Sequence, residues 1–326
     1  MKKLYILALL MLCIVLAACS DSYIAPGNDN GNFQTNGYIM PDNLAQATAP
    51  DIISDAYQTH EITTPEPMPT QISESNTASE STTVPEDDFE VVEIKLFEQE
   101  IDDMMLASMV ESGEIPADVT HLHLHSNLLS DIAPLKRLDQ LRVLHLSANQ
   151  ISDISTLASL TNITWLTLGF NEIDCIAALA GMQNLERLDL MFNQISDLSP
   201  LAGLTNLTYL DIANNRVSDI TPLANLTNLT YLRAHGNQIS DLSALSGLIS
   251  LVNLLLSGNQ ISDLSPLAGL MNLETLILND NDVSDISPLA YLTNLEWFFI
   301  SINFDDNTQI TDWSPVAHVA SVSGRP

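Results

Sequence analysis

The chain repeats itself every 22 residues, and self-similarity of that length limits the fold more than any other feature. Asn127, Asn149, Asn171, Asn193, Asn215, Asn237, Asn259, Asn281 and Asn303 keep the spacing nine times without a slip. Each asparagine closes the same pattern. Leu207, Leu210 and Ile212 precede Asn215 as L-x-x-L-x-L-x-x-N. Alternation about Leu210 and Ile212 predicts a short strand with those side chains turned inward, and Tyr209, Asp211 and Ala213 turned outward. Val217, Ile220, Leu223 and Leu226 follow at intervals of three, which suits 3₁₀ turns better than α-helix. Ser199-Pro200, Thr221-Pro222, Ser265-Pro266 and Ser287-Pro288 read as an N-cap followed by proline at the first helical position. One repeat is therefore a strand, a turn and a short helical return.

The invariant letters have structural explanations. An asparagine amide both donates and accepts, so a column of them stacked every ~4.8 Å can satisfy the backbone of a buried turn. Asp153, Asp197, Asp219, Asp241, Asp263 and Asp285 recur in the turn that follows and read as caps of local amides rather than a calcium-attracting edge. Cys175 occupies that place in its own coil and is given no role.

Five segments are expected. Residues 1–18 have Lys2 and Lys3, then an apolar run too short to span comfortably as a helix, which is the form of a secretory leader. Residues 19–88 form an acidic stalk rich in Ser, Thr and Pro, too poor in apolar side chains to fold alone. A coil of ~70 residues spans roughly 45 Å, enough to lift a domain clear of a surface. Residues 89–118 read as an N-terminal cap, with a strand near Val91–Leu96 and an amphipathic helix from Phe97 to Ser112 that ends at Gly113. The methionines of that helix (Met104, Met105, Met109) are expected to pack against the exposed end of the solenoid, which needs a cap. Residues 119–303 hold nine strands with their returns, and residues 304–326 the last return, its insertion and a C-terminal cap.

Two resemblances follow. The leader ends in Leu16-Ala17-Ala18-Cys19, which resembles the lipobox of bacterial lipoproteins. That resemblance implies cleavage before Cys19, acylation of its thiol and retention on the outer side of a bacterial membrane. Acyl chains contribute about 0.8 kcal/mol per buried CH₂, so several together anchor stably. The repeat LxxLxLxxNQISDLSPLAGLTN resembles the leucine-rich repeats of internalin-like bacterial surface proteins. This second resemblance implies a curved solenoid, an α/β repeat with parallel strands on the concave face and 3₁₀ or short helical turns on the convex face, and a role in protein binding. The chain departs from the best-known members in showing a lipobox in place of a C-terminal sortase motif.

Charge excludes some partners. With 41 acids against 10 bases and a formal charge of −31, the chain is ill-suited to nucleic acid, whose phosphates need Lys and Arg. It lacks a glycine-rich phosphate loop, a nucleophile elbow and a HExxH motif, so an enzyme is not expected.

Function must then lie in the outward letters that change from coil to coil, and these form three zones. The first is histidine. His121, His123 and His125 alternate with leucines, with His145 beside His123, and imidazoles so placed are candidates to hold Zn²⁺ or a similar metal. The second is central: Trp165, Arg187, Tyr209 and Tyr231 in one column, Asp189, Asp211 and Arg233 beside it, and Phe170, Phe192 and His235 extending it. Aromatic residues and Arg dominate binding energetics, and Arg187 is expected to stack between Trp165 and Tyr209. The third, Leu255, Ile277, Trp297 and Phe299, is an apolar patch of the sort that marks a partner site. The sequence thus favours a lipid-anchored protein that binds another protein, with a metal- or ligand-capturing lipoprotein as the alternative.

Overall fold

The structure, a computed structural model, describes residues 91–300 and 310–323. The leader, Cys19, the stalk, Asn303 and the insertion after it lie outside the described residues.

Eleven parallel strands form one sheet in strictly sequential order. They are β1 (Glu93–Lys95), β2 (His121–His123), β3 (Val143–His145), β4 (Trp165–Thr167), β5 (Arg187–Asp189) and β6 (Tyr209–Asp211). The second half holds β7 (Tyr231–Arg233), β8 (Asn253–Leu255), β9 (Thr275–Ile277), β10 (Trp297–Phe299) and β11 (Ser321–Ser323). A 3₁₀ turn such as Thr221–Asn225 lies on the return side of each coil from β2 to β10, so the sheet lines the concave side of a solenoid. Two strands therefore extend the nine read from the repeat, one at each end. β11 is the way the C-terminal tail covers its end.

Register is set by burial. Leu188, Leu210 and Leu232 are Cα partners across β5, β6 and β7 and all are fully buried. A slip of one residue would turn each leucine to the outer face. Leu223 in the return is equally buried, and full burial of such a side chain contributes about 1.5–3 kcal/mol.

The asparagine ladder takes the form its chemistry predicts. Asn215 Nδ2 donates to Ile212 O of its own coil at 3.1 Å and to Leu190 O of the preceding coil at 3.0 Å. Its Oδ1 accepts from Ile195 N at 3.0 Å. The same three bonds recur at Asn149, Asn171, Asn193, Asn237, Asn259 and Asn281. A second ladder adds to it: Asn162, Asn184, Asn206, Asn228, Asn272 and Asn294, one residue before the first apolar residue of each strand motif, each donate to a carbonyl of the coil before.

Three local expectations are corrected. Ser199, Thr221, Ser265 and Ser287 are not N-caps; each is the first residue of its 3₁₀ turn. The cap comes from the recurrent aspartate two residues earlier, as where Asp197 Oδ1 accepts from Ser199 N at 2.8 Å and Oδ2 from Ser199 Oγ at 2.9 Å. The bonds from the Ser199 amide and hydroxyl hold the Asp197 carboxyl below the usual carboxylate range. The cap helix α1 runs Asp103–Ser112, not from Phe97, because Asp102 accepts from Met105 N at 2.9 Å and starts it there. Gly113 ends it with φ of 79°, as expected. The methionines do not all pack: Ile101 and Leu106 enter the core and Met109 lies against it, whereas Met104 is 81% exposed.

Candidate functional site

Pleating stands the first and third residues of each strand on the open face, and pairing aligns them into two columns across the sheet. The first column runs His121, Val143, Trp165, Arg187, Tyr209, Tyr231; the second runs His123, His145, Thr167, Asp189, Asp211, Arg233.

The central zone is assembled as expected. Arg187 lies with its guanidinium carbon 4.7 Å from the Trp165 ring centre and 5.5 Å from that of Tyr209. Tyr209 stacks on Tyr231 at 4.7 Å, so one unbroken row of π faces and one cation crosses β4 to β7. Beneath it, Arg233 Nη1 meets Asp211 Oδ2 at 3.2 Å, and Arg233 Nε donates to His235 Nδ1 at 3.2 Å. Asp211 is only 1% exposed and also accepts from Ala213 N, so it positions Arg233 and does not itself reach a partner. That corrects its expected outward exposure: taller neighbours cover it. Asp189 accepts from Met191 N at 2.9 Å, and burial, then the charge of Asp211, push its pKa up to about 7. A Cβ on Gly169 would stand 3.0 Å from Met191 Cγ and 3.1 Å from both Asp189 carboxylate oxygens, so glycine lets Asp189 approach closely there.

Phe170 and Phe192 pair with each other just past the ends of β4 and β5. Both have positive φ, 56° and 51°, and their rings stack at 4.4 Å. The residue before each ladder asparagine is left-handed in coil after coil, at Ser126, Ala148, Asn214, Gly236, Gly258 and Asp280 as well. A bulky residue in that region is strained by roughly 1–2 kcal/mol relative to glycine, and such strain concentrates at functional sites. The readable signal was the Gly, Asn and Asp occupancy of the column.

The histidine zone stacks instead of converging. His123 and His145 rings lie face to face at 4.7 Å, His145 meets the edge of Trp165 at 4.8 Å, and Phe97 covers His125 at 4.7 Å. His123 Nε2 lies 2.9 Å from Glu93 Oε1. Rings that share π faces cannot aim their nitrogen lone pairs at one point. Among the described residues no group of three His, Cys, Asp or Glu side chains is placed to hold a metal ion, so this geometry gives the Zn²⁺ expectation at His121, His123, His125 and His145 no support. Burial, then the neighbouring imidazoles, push His145 down to about 3, and burial with Arg233 pushes His235 down to about 4. These rings are neutral when folded but titrate near pH 6.5 when unfolded. The folded chain then binds fewer protons below pH 6.5, so their contribution is fully present above that pH and is lost as pH falls toward 3 to 4. Asp189 acts oppositely, since its ionisation weakens the fold as pH rises toward about 7. Melting of wild type against His145→Phe isolates the histidine term: the variant should gain relative stability as pH drops from 7 to 4.5. A constant difference across that range would show that His145 is not held neutral.

In the third zone Leu255, Ile277 and Phe299 share one row and Trp297 stands beside Phe299 at a ring distance of 6.2 Å. All four are half-buried, a narrower patch than the sequence promised. Cys175 is a free, exposed thiol.

Repeating coils that bury leucine and leave a variable face open define a leucine-rich-repeat protein. The family described as "Leucine Rich repeats (2 copies)" matches overlapping windows from residues 118–159 to 249–291, and the chain belongs to it. Within it the chain is an internalin-like bacterial member, as its likeness to a solved internalin shows. An internalin C2 from Listeria monocytogenes is 39% identical, with a TM-score of 0.57, over 60% of this chain and 91% of that one. An internalin from the same organism, described as inlF, is 32% identical over 64% of this chain and 82% of that one, with a TM-score of 0.36. The ectodomain of the Arabidopsis thaliana receptor kinase GASSHO1/SCHENGEN3, solved in complex with CASPARIAN STRIP INTEGRITY FACTOR 2, is 25% identical over 56% of this chain and 24% of that one, with a TM-score of 0.51. No match is found among curated proteins.

Proposed function

We propose that this protein is exported, held by lipid on Cys19 at the outer side of a bacterial membrane, and binds another protein through the concave face of its sheet. The leucine-rich-repeat fold suggests protein binding; the face, the residues and the anchor are the finer reading. The observation that carries it is the row Trp165, Arg187, Tyr209 and Tyr231, with the stacked Phe170 and Phe192 beside it. Neither the leucine core nor the asparagine ladder needs aromatic side chains there, and Trp, Tyr and Arg are the residues that dominate interfaces. Arg233, His235 and Asp189 frame this row, and Trp297 with Phe299 offer a second contact. The plant ectodomain with a bound partner supports binding as a use of the fold. Catalysis is not part of the proposal, because an open sheet face does not exclude water as a reactive pocket does.

The test is capture of a partner by the full chain, repeated with Trp165→Ala and Tyr209→Ala together; binding that survives the double change unaltered contradicts the face assignment. Among the described residues no helix is long and apolar enough to cross a membrane. Attachment is assigned to the acyl chains on Cys19. In a bacterial host, Cys19→Ser should move the protein from the membrane to the soluble fraction. Membrane retention of that variant on fractionation would remove the lipid from the proposal.

A further inference from the structure

The sheet face differs in charge from the rest of the molecule. The first and third positions of the eleven strands carry Glu93, Asp189 and Asp211 against Lys95, Arg187 and Arg233, an even balance in a chain of net charge −31. Two of the three bases are already matched, Lys95 by Glu93 at 3.2 Å and Arg233 by Asp211 at 3.2 Å. Arg187 is not: among the described residues no carboxylate lies within ion-pair range of it, and it is exposed.

Its surroundings decide what it can take. Trp165 and Tyr209, its neighbours in the same column, flank the guanidinium, whose carbon lies 4.7 Å and 5.5 Å from their ring centres while the residue stays exposed. A guanidinium held between two rings is a two-pronged donor that matches a carboxylate, and the ring contacts already restrict its side chain. Tyr209 stacks on Tyr231 next to it, Phe170 stacks on Phe192 just past the ends of β4 and β5, and a segment lying over both pairs would exclude water, where an ion pair strengthens. Asp189, in the other column of the same strand, lies outside ion-pair range of Arg187 and turns its Oδ1 to Met191 N instead. A polyanion such as nucleic acid or an anionic lipid surface would be repelled by the acidic remainder of the chain, whereas a single acid set among apolar residues would not.

Resting on the reading of the concave face as the binding surface, we propose that its occupant is a protein segment that seats one Asp or Glu side chain on Arg187, between Trp165 and Tyr209, with apolar residues of the same segment against Phe170 and Phe192. Displayed random short peptides, selected on the full chain, supply the probe. The selected peptides should share an acid flanked by apolar residues. Their affinity should fall ~30-fold or more with Arg187→Gln, equally with the peptide acid changed to its amide, and little further when both changes are combined. Arg187→Lys should recover only part, since a lysine keeps the charge and loses the fork. An unchanged melting temperature for Arg187→Gln shows that the loss is not unfolding. Selection of no peptide, of peptides without an acid, or of peptides that bind Arg187→Gln as well as wild type would each overturn the proposal. If Trp165→Ala with Tyr209→Ala abolishes binding while Arg187→Gln does not, the face binds without a carboxylate and only this inference fails. If neither variant changes binding, the face assignment fails with it.

Discussion

Removing the Trp165 and Tyr209 side chains together is expected to weaken partner binding by ~100-fold or more while leaving the fold in place, because aromatic hot spots each carry about 2 kcal/mol or more. Their positions explain the asymmetry. Both stand on the open side of the sheet, whereas Leu166 and Leu210, one residue further along each strand, are fully buried. Truncation therefore creates no core cavity. It does release Arg187, which loses both ring contacts, and it unstacks Tyr231. Cross-strand pairs of this type contribute about 0.2–1 kcal/mol each, so the melting temperature should fall by only a few degrees. Isothermal titration with the captured partner, set beside thermal melting, separates the two quantities. A melting temperature lowered by tens of degrees would mean that the row is structural, and an unchanged affinity would move the site elsewhere.

Much of this was legible because the repeat is strict. Asn215 can be recognised as a ladder member from Asn193 and Asn237 alone, and Leu210 as core from its neighbours at the same register. What escaped was whatever depends on a direction the letters do not encode. Asp211 alternates outward as predicted, yet lies beneath Arg233 and is buried, because the height of adjacent side chains governs exposure as much as the pleat does. Phe170 and Phe192 sit on left-handed backbone, which Asn214, Gly236, Gly258 and Asp280 in the same column hinted at. The methionine stripe was misread because helical spacing fixes which residues share a face, and the starting residue fixes which face is inward. Once Asp102 begins the helix, Met104 turns to solvent.

The ladder itself carries the largest expected effect on stability. Asn215→Ala would strip a partner from Leu190 O and Ile212 O and leave Ile195 N without an acceptor, in a turn where Asn215 is 9% exposed. A buried polar backbone group left unmade costs about 1–3 kcal/mol, so the loss should reach ~3–5 kcal/mol even with some relaxation. The cost should be local at first, since each coil contacts only its neighbours and a weakened interface divides the array. Amide exchange should therefore quicken in the coils on either side of Asn215 before the ends respond. Asn215→Asp gives a sharper result than alanine. It keeps the shape and can still accept from Ile195 N, but an ionised carboxylate faces the carbonyl oxygens of Leu190, Ile212 and Ala213 with no proton to offer. Its folded pKa would be raised, so the damage should be greatest at neutral pH and ease as the solution is acidified below that raised value. Denaturant unfolding of the two variants at pH 7 and pH 5 measures this directly. Losses under ~0.5 kcal/mol for both would mean that water substitutes freely for the amide, and that the most regular letter of the repeat is not what holds the coils together.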